Sequence, residues 1–140
     1  MGKRMDRAIQ KYLDIREKNE LGGGQEHIDR QHDRGKLTAR ERIDILIDPG
    51  TFNELGSFVN TTGRRIDGKF TDAPCDGLVV GTAEVHGRMV MVAASDFTVL
   101  GGSLGIQTML KTAMPMQMAA QWGIPIVHLL DSSGGRLGYR

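Results

Sequence analysis

The sequence has few of the residues that stabilise small secreted or metal-binding domains. It contains one cysteine, Cys75, so no internal disulfide can form and no cysteine cluster is available for a metal. His27 and His32 stand five residues apart and therefore do not share a helix face, so we predict no bound metal. No apolar run is long enough to span a bilayer, and the charged start does not resemble a signal peptide. We expect a cytoplasmic chain that does not span a membrane.

The sequence also lacks a large excess of either charge. A net charge of +1 gives no electrostatic reason to bind nucleic acid or an anionic membrane. With 39% hydrophobic and 25% charged residues, the 140 residues have the composition of one globular domain. A domain of this size buries roughly two-thirds of its unfolded surface, which is enough for a hydrophobic core.

The charges are concentrated in the first half, because residues 1–70 hold 26 of the 35. That half should be mostly solvated or interfacial, and the second half mostly core. The first half opens with an amphipathic helix, which the glycines at positions 22–24 should end. This helix either packs on its own domain or reaches a partner subunit. Its apolar stripe consists of Met5, Ala8, Ile9, Tyr12 and Leu13.

A second helix is predicted from a capping box, in which Thr38 precedes Glu41 by three residues. Residues 48–50, Asp-Pro-Gly, should stop it, and its predicted buried stripe is Ala39, Ile43, Leu46 and Ile47. Three nearby basic residues would form either an anion site or a solvated face: Lys36, Arg40 and Arg42. We expect a short strand within residues 51–60 and an exposed loop over residues 61–74.

The second half indicates a strand, helix and strand crossover. Residues 77–95 read as two strands joined at His86 and Gly87, which predicts a tight hairpin. A helix should start near Ser103 and end at Gln121 or Trp122, where Gly123 closes it, with a kink or break at Pro115. A buried strand follows near residue 124. The predicted core-facing residues of the helix are Leu104, Ile106, Met109, Leu110, Ala113, Met114, Met118 and Ala119.

Two glycine-containing segments follow the ends of the predicted central strands. We call residues 101–103 the GGS loop and residues 131–135 the DSSGG turn, and the crossover should place them near one another. Ligands of α/β proteins bind at the carboxyl ends of such strands. The GGS loop precedes a helix, where backbone amides attract anions such as phosphate. It lacks the lysine and threonine of a phosphate-binding P-loop, so its glycines would equally serve close helix packing.

Several motifs in the same order resemble one enzyme family. They are GKLTARERIDILIDPGTF, DGLVVGTAEVHGR, SDFTVLGGSLG with Lys111 after it, and DSSGGR. Together they resemble the amino-terminal half of the carboxyltransferase subunit of biotin-dependent acyl-CoA carboxylases, of the propionyl-CoA and methylmalonyl-CoA type. The resemblance implies an α/β, crotonase-like fold of repeated ββα units, here partial and preceded by helices. Residues 1–35 would form that helical segment, and residues 36–140 the beginning of the domain, truncated at its carboxyl end.

The resemblance also implies a chemical role for the DSSGG turn. Carboxyl transfer between carboxybiotin and an acyl-CoA passes through a thioester enolate, whose oxygen needs fixed hydrogen-bond donors. The resemblance assigns the backbone amides of Gly134 and Gly135 to this catalytic role, while Asp131, Ser132 and Arg136 would shape the turn. We assign substrate binding to Gly101, Gly102, Ser103 and Ser133.

The implied cofactor is biotin, carried on a partner subunit or domain together with the biotin carboxylase component. The full-length protein would be a homo-oligomer, and the 140 residues alone would be inactive. Three alternatives stay open: a subunit of an acyl-CoA decarboxylase, a non-catalytic binding or assembly module, and a nucleotide-binding domain.

Three residues depart from the family pattern. Ser133 and Cys75 stand where glycine is usual, and Gly135 stands where alanine is usual. None of these changes removes a backbone amide. Ser133 must nevertheless tolerate the backbone angle that the glycine had, and the pocket would differ in shape. We expect Cys75 to be a packed, unreactive thiol.

Overall fold

A four-stranded sheet lies between two helices in the computed structural model of the chain, which describes residues 2–64 and 70–136. Three helices come first: α1 (Gly2–Glu20), α2 (Gln25–Asp33) and α3 (Ala39–Leu46). The strands and the last helix follow as β1 (Asn53–Leu55), β2 (Thr61–Arg64), β3 (Phe70–Ala73), β4 (Leu78–Val85), β5 (Arg88–Ser95), α4 (Ile106–Trp122) and β6 (Ile126–Leu129). The chain is thus α/β, as predicted.

The sheet has the order β1-β4-β5-β6. β4 and β5 form the predicted hairpin, and both turn residues, His86 and Gly87, have positive φ. β6 pairs parallel to β5 after the α4 crossover. Parallel neighbours place their carboxyl ends at the same edge, so the segments that follow β5 and β6 meet there.

One face of the sheet packs on α3 through apolar side chains. The capping box is present, because Glu41 N donates to Thr38 Oγ1 and Thr38 N donates to the Glu41 carboxylate. The alternation of β4 and β5 turns every second residue toward this face. The resulting core cluster contains Ala39, Ile43, Ile47, Val79, Ala83, Val90, Val92 and Ala94.

The opposite face packs on α4, with Leu78, Val80, Met91, Ala93 and Ala119 in its core. Gly123 ends α4 in the left-handed conformation, as expected. The predicted inward face of the helix is only partly confirmed: Ala119 is in the core with Met118 packed against it, whereas Ile106 is 77% exposed and Met109 is 68% exposed. Thr108, Lys111 and Pro115 are buried instead. Because α4 is continuous over Pro115, no break occurs there.

The segment that joins the two amino-terminal helices packs closely against the backbone of Thr98. An added Cβ at Gly23 would lie 1.9 Å from the Thr98 carbonyl oxygen, so only glycine allows this approach. Gly23 N also donates to Thr98 Oγ1 at 3.0 Å. The apolar stripe of α1 is exposed at Met5, Ile9, Tyr12 and Leu13, although Tyr12 stacks on Phe58.

The described part of residues 61–74 does not form the exposed loop that we expected, and residues 65–69 of that expected loop lie outside the described residues. β2 and β3 pair antiparallel from Thr61 with Ala73 to Arg64 with Phe70. Ala73 and Pro74 are buried. A polar, glycine-containing stretch was insufficient evidence for a loop, because strand pairing satisfies its backbone groups equally well.

No helix in the two described ranges is long and apolar enough to cross a membrane.

Candidate functional site

The GGS loop and the DSSGG turn lie against each other, joined by backbone hydrogen bonds. Ser133 N donates to the Gly101 carbonyl at 2.9 Å, and Leu104 N donates to the Gly134 carbonyl at 2.9 Å. Arg136 N returns a bond of 2.7 Å to the Leu104 carbonyl. The structure therefore brings the predicted site residues together, although they stand about 30 positions apart in sequence.

Gly102 allows this close approach. Its φ of 60° is left-handed, and an added Cβ would lie 2.3 Å from the Asp131 carbonyl oxygen. Any larger residue would push the loop and the turn apart. Gly102 is itself buried, so its role in this geometry is to join the two segments.

The DSSGG turn presents Gly134 and Gly135 to solvent. An added Cβ at either glycine would meet no atom within 4 Å, so the turn borders open space. Gly134 N donates to Ser132 Oγ at 3.1 Å. For Gly135 N, no hydrogen-bond acceptor is found among the described residues. Gly135 therefore has the more available amide, and Gly134 would have to exchange Ser132 for a ligand.

The backbone of the turn accounts for the two departures from the family pattern that lie within it, at Ser133 and Gly135. Gly134 has a φ of 100°, whereas neither Ser133 nor Gly135 has a positive φ. Serine therefore fits at position 133 without left-handed strain, and the alanine that is usual at position 135 would fit there as well. Cys75 differs, because its φ of 52° lies in the region that favours glycine.

Ser103 and Arg136 form the base of the site. Arg136 Nε donates to Ser103 Oγ at 3.1 Å, and Nη2 donates to the Ser103 carbonyl at 2.7 Å. Nη1 donates to Asp76 Oδ1 in an ion pair whose side chains are 4% and 0% exposed. Ser103 is thus buried under the turn, while Gly101 is half-buried and Ser133 is exposed.

The segment that carries Asp76 is held by the buried face of α4. Thr108 Oγ1 donates to Asp76 Oδ2 at 2.5 Å. Lys111 Nζ donates to the Cys75 carbonyl at 3.0 Å and to the Leu78 carbonyl at 2.6 Å. Burial lowers the pKa of Lys111 from its ordinary value. Lys111 thereby fixes the backbone on both sides of Asp76, and Thr108 holds the Asp76 carboxylate.

Asp131, at the start of the DSSGG turn, is fixed from three directions. Gln31 Nε2 donates to Oδ2 at 2.8 Å, Lys36 Nζ donates to Oδ1 at 2.9 Å, and Asp131 N donates to Ser95 Oγ at 2.7 Å. Burial alone would raise the pKa of Asp131, but the bonds from Lys36 and Gln31 outweigh burial and lower it. The carboxylate therefore anchors the turn in its charged form.

The three basic residues near α3 do not form the predicted anion site or solvated face. Lys36 binds Asp131, and Arg40 forms a bidentate pair with Glu54 at 2.8 and 3.2 Å. Arg42 donates to the carbonyl oxygens of Ser95 and Leu129, at the ends of β5 and β6. Each cation has an internal acceptor. Lys36 and Arg42 hold the strand ends that lead into the site, whereas Arg40 joins α3 to β1.

Cys75 is packed as expected, with 3% exposure and its Sγ 3.3 Å from the Ser57 carbonyl oxygen. Burial raises the pKa of its thiol, which disfavours the nucleophilic thiolate. Within the described ranges, no group of three His, Cys, Asp or Glu residues is placed to hold a metal ion.

A polar cleft of about 350 Å³ lies elsewhere, between α1 and β1. Its lining includes Arg16 and Arg40, whose guanidinium groups are paired with Glu20 and Glu54. The cleft does not include the GGS loop or the DSSGG turn. We therefore base the candidate site on the two glycine segments.

Residues 30–139 match the family model described as "Carboxyl transferase domain". The chain belongs to this family. It is 43% identical over 133 residues to the propionyl-CoA carboxylase carboxyltransferase subunit of Haloferax mediterranei, covering 95% of the chain and 26% of that protein. It is 41% identical over 136 residues to the methylmalonyl-CoA decarboxylase subunit alpha of Propionigenium modestum, again covering 95% and 26%.

A solved structure of transcarboxylase 12S, with methylmalonyl-coenzyme A and methylmalonic acid bound, has a similar fold. The TM-score is 0.90 at 36% identity, covering 96% of this chain and 26% of that one. The fold class is therefore that of the crotonase-like carboxyltransferases. The chain spans about a quarter of the length of these relatives.

Sequence reasoning missed the polar residues below the DSSGG turn, above all Asp76 and Thr108. One signal was present. Lys111 is the only Asp, Glu, Lys or Arg between Asp96 and Asp131, and an isolated charge in an apolar helix indicates a buried partner. Asp76 and Thr108 gave no comparable signal, because short polar residues are common at helix ends and turns.

Proposed function

We propose that this chain supplies the enolate-stabilising part of a biotin-dependent acyl-CoA carboxyltransferase. The observation that carries the proposal is the exposed Gly135 amide, for which no acceptor is found among the described residues. It lies on a turn that is fixed from below and borders open space. Membership of the carboxyl transferase family supports the reaction class.

In the proposed reaction the thioester oxygen accepts a hydrogen bond from Gly135 N. As the α-carbon loses its proton, which decarboxylated biotin would accept, or its carboxyl group to biotin in the reverse direction, negative charge moves onto that oxygen. The bond to Gly135 therefore strengthens in the transition state, and one such donor contributes about 10²- to 10³-fold in rate. Gly134 would supply a second donor once Ser132 Oγ is displaced.

The residues that we assigned to substrate binding then have two roles. Gly101 and Ser133 lie at the accessible surface of the joined segments, where they would contact the acyl-CoA. Gly102 and Ser103 are buried and would act by holding the turn. This division follows from burial, since a group covered by protein cannot touch a ligand that approaches from solvent.

The open space beside Gly134 and Gly135 fits a carrier that approaches from outside. Carboxybiotin, when bound there, supplies the carboxyl group for the enolate carbon. We assign no residue of this chain to holding the biotin ring. The biotin would be attached to a carboxyl carrier that a biotin carboxylase component loads.

We further propose a cytoplasmic homo-oligomer, in which residues 1–35 form a helical segment and residues 36–140 begin the crotonase-like domain. The family match to residues 30–139 supports the boundary. The similar transcarboxylase 12S forms a hexamer assembly, which supports the oligomer. The exposed apolar stripe of α1 is available for contacts between subunits.

The opposite direction, decarboxylation of an acyl-CoA, is a second candidate. The 41% identity to a methylmalonyl-CoA decarboxylase subunit favours it as a specific alternative. Both directions share the enolate, so the same turn would serve either. Measuring net carboxyl transfer from carboxybiotin to an acyl-CoA, and from a carboxylated acyl-CoA to biotin, would show which direction the protein favours.

The experiment uses the natural gene product that carries these residues. It is incubated with methylmalonyl-CoA or malonyl-CoA and free biotin, and loss of the carboxyl group from the thioester is followed by mass spectrometry. We expect biotin-dependent loss. Absence of both turnover and acyl-CoA binding would support a non-catalytic module instead, and stabilisation by free nucleotides without a thioester would indicate the nucleotide-binding alternative.

A further inference from the structure

We infer that Asp76 is a positioning residue of the site, which acts through Arg136 to orient the DSSGG turn and its Gly135 amide. The inference rests on the proposed function for its kinetic consequence. Its structural part, that Asp76 holds the turn against the GGS loop, can be tested separately.

The contacts make Asp76 the point where three segments meet. Its Oδ1 accepts from Arg136, at the end of the turn, and its Oδ2 accepts from Thr108, at the start of α4. Arg136 also binds the hydroxyl and the carbonyl of Ser103, in the GGS loop. Because guanidinium is a planar, rigid fork, these bonds fix the direction in which the chain leaves Gly135.

The backbone at Asp76 is adapted to this position. Cys75, Asp76 and Gly77 have φ values of 52°, 51° and 68°, so two non-glycine residues in succession are left-handed. Such conformations persist only where surrounding contacts impose them, and they occur most often near functional sites. Here Lys111 bonds to the carbonyls of Cys75 and Leu78 on either side.

Burial distinguishes this pair from an ordinary surface ion pair. The side chains of Asp76 and Arg136 are 0% and 4% exposed. Removing two charges from water offsets much of their attraction, so a buried pair is weak evidence for added stability. Its bonds are directional, however, and Arg136 directly follows the proposed donor Gly135 in the chain. We therefore assign the pair to orientation of the turn.

The test replaces Asp76 with asparagine, which keeps the shape and removes the charge. In the natural gene product, we expect kcat for carboxyl transfer to fall by about 10²-fold while KM for the acyl-CoA changes little, since a displaced donor weakens transition-state contacts. Amide hydrogen exchange across residues 131–136 should accelerate by about tenfold or more, because local opening no longer breaks a charge-assisted bond.

The matched control is Glu20→Gln, which removes the carboxylate of the exposed Arg16 ion pair on α1. It should leave kcat and exchange at residues 131–136 unchanged. The inference is wrong if Asp76→Asn behaves as this control does. If the wild-type protein transfers no carboxyl group, the proposed function fails, and the exchange measurement still decides whether Asp76 holds the turn.

Arg136→Lys provides a second variant in case Asp76→Asn does not fold. Lysine keeps the positive charge but cannot reach Asp76 and the Ser103 carbonyl with a rigid fork. We expect the same pattern, with kcat lowered more than KM is raised and faster exchange at residues 131–136. Wild-type kcat and exchange in this variant would overturn the inference.

Discussion

The two helices that cover the sheet contact it with different chemistry. α3 presents apolar residues, with Ala39 and Ile43 each 1% exposed, and it follows the periodicity of its sequence. α4 instead buries Thr108 and Lys111 at the end near the glycine segments, while Ile106 and Met109 remain exposed.

The difference shows what a helix beside a functional turn must supply. Backbone in an unusual conformation cannot satisfy its own polar groups, so side chains have to bind them. Lys111 and Thr108 do so for residues 75–78, and Asp76 then reaches Arg136. α3 also binds backbone carbonyl groups, through Arg42 to Ser95 and Leu129, but the side chains that it packs on the sheet are apolar.

The largest effect is expected when an apolar residue on α3 is truncated and the loss of stability is compared with the same change on α4. Ile43→Ala should lower the free energy of unfolding by about 3 to 5 kcal/mol, because it leaves a cavity in the core. Ile106→Ala should change it by less than about 0.5 kcal/mol in the 140-residue chain, because Ile106 is exposed. Urea denaturation measures both, and equal costs would show that α4 buries its apolar face.

Lys111→Met tests the buried polar contacts of α4. The substitution should lower the free energy of unfolding by about 2 to 3 kcal/mol, because two buried carbonyl groups lose their donor while the apolar stem still packs. Lys11→Met, on the exposed α1, is the matched control and should be close to neutral. A stabilised Lys111→Met variant would mean that desolvation of the ammonium outweighs its bonds.

The next prediction separates the two glycines of the turn. Gly134→Ala should destabilise the chain by about 1 to 2 kcal/mol, because a side chain is strained at a φ of 100°. Gly135→Ala should change the free energy of unfolding by less than about 0.5 kcal/mol, since the φ of Gly135 is not positive and its surroundings are open. Thermal unfolding of both variants checks this, and the reverse order would contradict the turn geometry.

The smallest effect is a pH dependence at Asp131. Its pKa is lowered in the folded chain, so its contribution to stability is fully present above the unfolded value of about 3.9 and is lost as the pH falls through the lower folded value. Asp131→Asn should therefore have a lower free energy of unfolding than wild type at neutral pH, and this gap should narrow below about pH 4. Lys36→Met should show a smaller loss of stability with the same dependence on pH. A gap that is constant with pH would contradict the assignment.

Local patterns in the sequence predicted the elements that local physics determines. The Thr38 capping box, the His86–Gly87 hairpin and the Gly123 helix end all occur where they were expected. The juxtaposition of the two glycine segments also followed from the crossover topology.

What could not be predicted depends on contacts between distant residues. The bonds of Lys111 to the carbonyls of Cys75 and Leu78 place a charged residue on the buried face of α4, and no periodicity within the helix encodes them. The pairing of β2 with β3 and the left-handed backbone at Cys75 and Asp76 are likewise tertiary features.

The role of Gly135 is tested most directly by comparing two substitutions at that position. Gly135→Ala keeps the backbone amide, whereas Gly135→Pro deletes it, and circular dichroism confirms that both variants fold. The carboxyl-transfer rate of the natural gene product should stay near wild type with alanine and fall by about 10²-fold or more with proline. Equal rates in the two folded variants would contradict the assignment of the Gly135 amide as the enolate donor.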